Sequence, residues 1–73
     1  MNQHAKVYMI PMRSLGPVLR GEKRIVNLPA DAETVAFDYG LMGVGIRVHS
    51  QCFPEVPFGQ PLPLVPAVLE RRP

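Results

Sequence analysis

The sequence has few of the residues that stabilise a protein covalently or anchor it in a membrane. Its 73 residues include one cysteine, Cys52, and no tryptophan. A single cysteine excludes a disulfide within the chain and favours a reducing compartment. No apolar run approaches the roughly 20 residues of a membrane span, and Pro11 and Arg13 interrupt the apolar stretch near the start. We therefore expect a cytoplasmic protein with neither a signal peptide nor a membrane segment.

Charge is also sparse. Eight Lys and Arg stand against six Asp and Glu, which leaves a formal net charge of +2. A nucleic-acid binder of this size usually carries a dense basic stripe, but here the basic residues are scattered and each local cluster contains a glutamate. The charge pattern therefore argues against nucleic acid as a partner.

Motifs for catalysis and metal binding are missing as well. The sequence contains no glycine-rich phosphate loop and no nucleophile elbow, and no carboxylate has an apolar surround that would raise its pKa. A structural zinc site takes four ligands, whereas Cys52 has only His4 and His49 as further His or Cys candidates. We expect a non-enzymatic protein with no metal site and no cofactor.

Helix-breaking residues are abundant. Nine prolines and six glycines leave no long stretch with an uninterrupted helical apolar period. Residues 5–12 and 24–28 each predict a strand, and between them we expect a loop with at most one helical turn, from Gly16 to Gly21. The chain as a whole predicts a mainly β protein with little helix and a small antiparallel sheet of about four strands.

The clearest pattern is VAFDYGLMGVGIRVHS, residues 35–50, which predicts a β-hairpin. Apolar residues alternate on both arms, and one register makes their apolar faces coincide. That register pairs Tyr39 with Val44, Phe37 with Ile46, Ala36 with Arg47, Val35 with Val48 and Thr34 with His49. The tip places Leu41 and Met42 where Asn, Asp or Gly is usual, and exposed apolar tips indicate contact with another chain or with the rest of the fold.

The composition changes after Gln51. Six of the nine prolines fall within residues 53–73, which predicts an extended segment that cannot form a central strand. The same segment is too apolar to remain fully solvated. We therefore divide the chain into a small antiparallel β domain, residues 1–52, and a proline-rich arm, residues 53–73, that packs on the domain or on a neighbouring subunit.

A chain of this length has too little interior to hide all of its apolar residues. Because neither a disulfide nor a metal site compensates, a second subunit is the remaining common solution, and we expect a homo-oligomer. The predicted interface uses the hairpin tip and the arm, through Leu41, Met42, Phe53, Phe58, Leu62, Leu64 and Val65.

Three segments, in this order, resemble small β-rich proteins of unknown function that bacteriophages encode. The segments are KVYMIPM, RIVNLPADAETVAFDY and VGIRV, and the resemblance covers Lys6 to Val48. This chain lacks the Trp that often lies in the return strand of those proteins, and its arm is outside the resemblance. The resemblance implies an origin in a phage or another mobile element and a protein that acts by binding.

Three functions remain open. The leading hypothesis is a non-enzymatic interaction protein that acts as a homo-oligomer and binds a host macromolecule. The first alternative is an anti-defence sponge that binds an anionic nucleotide between subunits, because a second strand beside the hairpin would bring several basic side chains into one groove. Those side chains are Arg20, Lys23, Arg24, Arg47 and His49. The second alternative is an orphan cassette-type protein of no known role.

Overall fold

The computed structural model describes residues 2–40 and 43–72. They form a mainly β protein, as the sequence predicts, with one α-helix, α1, at Met12–Leu19. The strands are β1 Asn2–Gln3, β2 Ala5–Pro11, β3 Lys23–Ile25, β4 Glu33–Gly40, β5 Gly43–His49, β6 Val56–Pro57, β7 Leu64–Pro66 and β8 Leu69–Arg71.

The central sheet has four strands in the order β4-β5-β2-β7. The pairs β4-β5 and β5-β2 are antiparallel, as predicted, whereas β7 joins the other side of β2 in the parallel direction. The chain reverses direction between β2 and β5 and again between β5 and β7. As a result, β7 runs in the same direction as β2. The sheet has the predicted size but is mixed.

The predicted hairpin register is confirmed over residues 36–40 of β4. As predicted, the structure pairs Tyr39 with Val44, Phe37 with Ile46, and Ala36 with Arg47. A β-bulge at Val35 then shifts the pairing, so that Thr34 lies opposite Val48 and Glu33 lies opposite His49. The predicted pairings of Val35 with Val48 and of Thr34 with His49 are wrong for this reason. The hairpin tip, Leu41 and Met42, lies outside the described residues.

Helix α1 is longer than the predicted single turn. It begins directly after Pro11 and continues through Gly16 and Pro17, both of which weaken a helix. Leu15 and Val18 pack against the core, and such packing stabilises a short helix more than its intrinsic propensity does. Among the described residues only α1 is helical, and it is too short to cross a membrane.

The hydrophobic core lies on one face of the central sheet. Its buried side chains are Tyr8, Ile10, Val44, Ile46, Val48 and Phe53. They are covered by α1 and by side chains from the segments around β3 and β8, which form a separate antiparallel pair. Because side chains alternate along a strand, Arg47 and His49 of β5 point to the opposite face of the sheet.

Asn27 connects the two ends of the chain. The predicted strand over residues 24–28 ends at Ile25. Beyond it, the side chain of Asn27 makes the hydrogen bonds to the segment after β7. Its Nδ2 donates to Pro66 O at 3.1 Å, and its Oδ1 accepts from Val68 N at 3.0 Å. The main chain of Asn27 also accepts a hydrogen bond from Tyr8 Oη at 3.1 Å.

Candidate functional site

The five basic residues of the predicted groove lie in two separate places. Arg47 and His49 lie on β5, whereas Arg20 follows α1 and both Lys23 and Arg24 lie on β3. The prediction of a shared groove required β3 to lie beside the hairpin, but β3 pairs with β8 instead. Since α1 and β3 pack on the core face, the central sheet lies between the two groups.

Acidic neighbours accompany the group on α1 and β3. Arg20 Nε donates to the carboxylate of Glu22 in an exposed ion pair, and this hydrogen bond lowers the pKa of Glu22. Arg24 lies opposite Glu70 in the β3-β8 pair. Exposed pairs of this kind contribute little to binding or stability. This group is a solvated surface of mixed charge.

Arg47 contributes to the floor of a groove on the other face of the sheet, which we call the Arg47 groove. Its volume is about 650 Å³. The lining residues are Gln3, Val7, Arg47, Phe58, Gly59, Gln60, Pro61, Leu62 and Leu64. Val7 and Arg47 are paired residues of β2 and β5 and form the floor. The loop between β6 and β7, residues 58–63, forms the wall.

Backbone hydrogen bonds fix both ends of that loop. Gln60 N donates to Pro57 O at 3.1 Å and closes a turn in which Gly59 has a φ of 93°, a conformation that favours glycine. At the other end, Val7 N donates to Pro63 O at 2.9 Å. The prolines of the loop restrict its backbone further. The fold therefore forms the groove before any ligand arrives.

The guanidinium of Arg47 is the polar group at the floor of the Arg47 groove. Its Nε is shielded from solvent and has no hydrogen-bond partner in the structure. None of the lining residues is acidic, and no residue whose side chain is described forms an ion pair with Arg47. Leaving such a donor buried without an acceptor costs on the order of 1–3 kcal/mol. The charge of this guanidinium has no carboxylate partner among the described side chains.

His49 lies two residues further along β5, on the same face. Its Nε2 is also buried without a hydrogen-bond partner. It is not among the residues that line the Arg47 groove, and its strand neighbours are Ala5 on β2 and Glu33 on β4. The structure therefore keeps Arg47 as a candidate ligand-binding residue and places His49 beside the groove.

A second polar cluster joins the turn at residues 29–32 to the turn at residues 50–53. Ser50 Oγ donates to Asp31 Oδ1 at 2.5 Å, and Gln51 N donates to Asp31 Oδ2 at 3.0 Å. These two hydrogen bonds, the hydroxyl first, lower the pKa of Asp31. Ser50 is buried, and its Oγ also accepts from Cys52 N at 3.0 Å. The cluster holds the start of β4 against the end of β5.

We expect Asp31→Asn to lower the Tm at neutral pH, because the amide keeps one uncharged oxygen and replaces the other with a donor NH2, so one of the two hydrogen bonds is lost. The folded-state pKa of Asp31 lies below the ordinary value of 3.8. Its contribution is therefore complete above the ordinary pKa and is lost as the pH falls through the lowered one. Melting curves from neutral to acidic pH should show the two proteins converging.

The matched control is Glu70→Gln, which removes an exposed carboxylate from β8 and should leave the Tm unchanged at neutral pH. If the gap between wild type and Asp31→Asn stays constant down to pH values well below the ordinary pKa of aspartate, the carboxylate contributes nothing through its charge.

Residues of the predicted oligomer interface differ in exposure. Phe53 is 7% exposed and belongs to the core of its own chain, with its ring centroid 6.3 Å from that of Tyr8. It therefore has little surface left for a second subunit. The others are Leu62 and Val65, which are half-buried, Phe58 and Leu64, which are exposed, and Leu41 and Met42, which are not described.

A surface that the sequence pattern did not indicate lies at the free edge of the sheet. Within the described chain β4 pairs only with β5, so its outer edge is open. Val35 and Phe37 are 44% and 60% exposed there, and Leu19 of α1 is 76% exposed nearby. A pocket of about 230 Å³ separates Phe37 from α1. We call these three residues the edge surface.

No described group of three His, Cys, Asp or Glu side chains is placed to hold a metal ion. Comparisons of the chain with protein-family models, with curated proteins and with solved structures found no match. The Arg47 groove and the edge surface are the two candidate sites that the geometry defines.

Proposed function

We propose that the protein is a non-enzymatic interaction protein that acts as a homo-oligomer, and that two copies associate through the edge surface. The proposal is supported by the 60% exposure of Phe37 on a strand whose outer edge is open. An open strand edge exposes unpaired N–H and C=O groups, and adjacent apolar side chains favour pairing with another chain.

A second copy fits this surface because an antiparallel strand pair is self-complementary. A two-fold axis at Phe37 would join two β4 strands and merge two four-stranded sheets into one. In that pairing Ala36 lies opposite Asp38 of the second copy, so position 38 is not paired with itself across the axis. The paired residues 36–38 lie beyond the bulge at Val35. Leu19 and the neighbouring pocket would add apolar contact.

We expect Phe37→Glu to convert the assembly into monomers of 8.1 kDa. The substitution removes an apolar contact and places two carboxylates beside each other at the two-fold axis, where like charges repel. Light scattering at micromolar concentration measures the mass, and circular dichroism checks that the variant remains folded.

Phe58→Glu is the matched control, because Phe58 is 76% exposed but belongs to the wall of the Arg47 groove. It should leave the assembly intact. A monomeric wild-type protein would contradict the proposal. So would dissociation by Phe58→Glu with no effect of Phe37→Glu, because that result would place the interface on the arm, where the sequence predicts it.

A further inference from the structure

We infer that the Arg47 groove binds a small amphipathic monocarboxylate. Its carboxylate contacts the Arg47 guanidinium, and its apolar part lies along the loop between β6 and β7. This site is separate from the edge surface, since none of the described residues that line it belongs to β4 or α1. Binding here does not require the proposed association.

The single positive charge of Arg47 indicates that the polar end of the ligand carries one negative charge. Arg47 is the one charged residue among the described residues that line the groove. A single guanidinium neutralises a single negative charge, whereas a nucleoside polyphosphate would leave several charges uncompensated. The planar guanidinium also matches the geometry of a carboxylate. Because Arg47 Nε is shielded from solvent, the ligand contacts the other nitrogens of the guanidinium, whose charge is not neutralised by any carboxylate among the described side chains.

The apolar side chains that line the groove indicate that the rest of the ligand is apolar. Phe58 and Leu64 are 76% and 69% exposed, so a hydrocarbon or aromatic group that covers them removes apolar surface from water. Val7 and Leu62, which are half-buried, belong to the same lining. Among the described residues of the lining, the uncharged polar side chains are the amides of Gln3 and Gln60. This surface is better suited to an aliphatic chain than to a sugar.

Size and rigidity agree with a small molecule. A volume of about 650 Å³ falls within the range of about 300–1,000 Å³ that is typical of small-molecule sites. Arg47 lies on β5, which has a strand on either side, and the wall is fixed at Gln60 and Val7. A preformed site of this kind loses little conformational entropy on binding.

Isothermal titration calorimetry on the full chain tests the assignment with three probes: octanoate, octanamide and cyclic AMP. Octanoate and octanamide have the same chain and differ in charge, whereas cyclic AMP is a monoanion with a sugar and a base. We expect octanoate to bind roughly tenfold more tightly than octanamide, because its hydrogen bond to Arg47 is charge-assisted. We expect no binding of cyclic AMP.

Two variants separate the polar and apolar ends. Arg47→Met should abolish the preference for octanoate and weaken octanoate more than octanamide. Arg24→Met, which removes an exposed arginine from β3, should leave all affinities at wild-type values. Phe58→Ala should weaken octanoate and octanamide by the same factor. Circular dichroism on each variant verifies the fold.

The inference is overturned if wild type binds octanoate and octanamide equally, or binds neither. It is also overturned if cyclic AMP binds in place of octanoate, which would reassign the groove to a phosphodiester. If Arg47→Met fails to fold, Phe58→Ala still decides the position of the site, since unchanged affinity for both probes would place them elsewhere.

Discussion

Gly43→Ala is expected to destabilise the protein by roughly 3 kcal/mol, a large share of the total stability of a small domain. Gly43 begins β5 with a φ of 148°, a backbone conformation that side chains rarely adopt. A Cβ at this position would lie 2.0 Å from Ile10 O. Because that atom belongs to the main chain of β2, a side-chain rotation cannot relieve the clash, and the β2-β5 pairing must open locally.

Gly21→Ala provides the matched comparison. Gly21 also has a positive φ, 77°, but a Cβ there would have no heavy atom within 4 Å. This variant should lose only the backbone term, about 1 kcal/mol. Urea denaturation measures both free energies of unfolding. Equal losses in the two variants would show that the contact with Ile10 O is relieved at no cost.

Ile10→Ala is expected to lower the free energy of unfolding by about 2–5 kcal/mol. Ile10 is 1% exposed and is one of the two largest fully buried side chains in the described core. It lies opposite Val44 in the β2-β5 pair and also borders the pocket beneath α1. The substitution removes three carbons from the place where the sheet and the helix meet.

Val68→Ala is the control for a truncation at the surface, because Val68 is 51% exposed. We expect it to change the free energy of unfolding by no more than about 0.5 kcal/mol. An Ile10→Ala variant that unfolds at the wild-type urea concentration would mean that α1 and its neighbours refill the space without loss.

Local patterns in the sequence predicted local structure well. Strict alternation in residues 35–50 determined the hairpin and most of its register, because one slip would move every apolar side chain to the wrong face. The bulge at Val35 was not predictable, since alternation continues unbroken through it. The exposure of Phe37 was missed for a different reason. Alternation identifies the core face of a strand, but it does not reveal whether a helix extends far enough to cover it.

Long-range features were beyond the sequence pattern. The parallel β2-β7 pair and the β3-β8 pair join the first part of the chain to its end. The sequences of these short strands do not indicate which strand each one pairs with. Because the β3-β8 pair is not visible in the sequence, the sequence predicts that Arg20, Lys23 and Arg24 share a groove with Arg47, whereas the fold separates them. Arg47 itself was correctly assigned to the polar face of the hairpin. The loop that makes a groove around it comes from the proline-rich segment, whose position depends on those long-range pairs.

The parallel pairing of β2 with β7 also makes the Arg47 groove depend on a long-range contact. β4 and β5 are neighbours in sequence and can pair early, whereas β7 contacts β2 only after a loop from position 7 to position 64 has closed. The wall of the Arg47 groove belongs to that same late segment. A chain that has folded only its hairpin and β2 therefore has Arg47 in place but no groove around it. The binding that we propose at this site therefore requires the long-range pairing of β7 with β2 and cannot come from the hairpin alone.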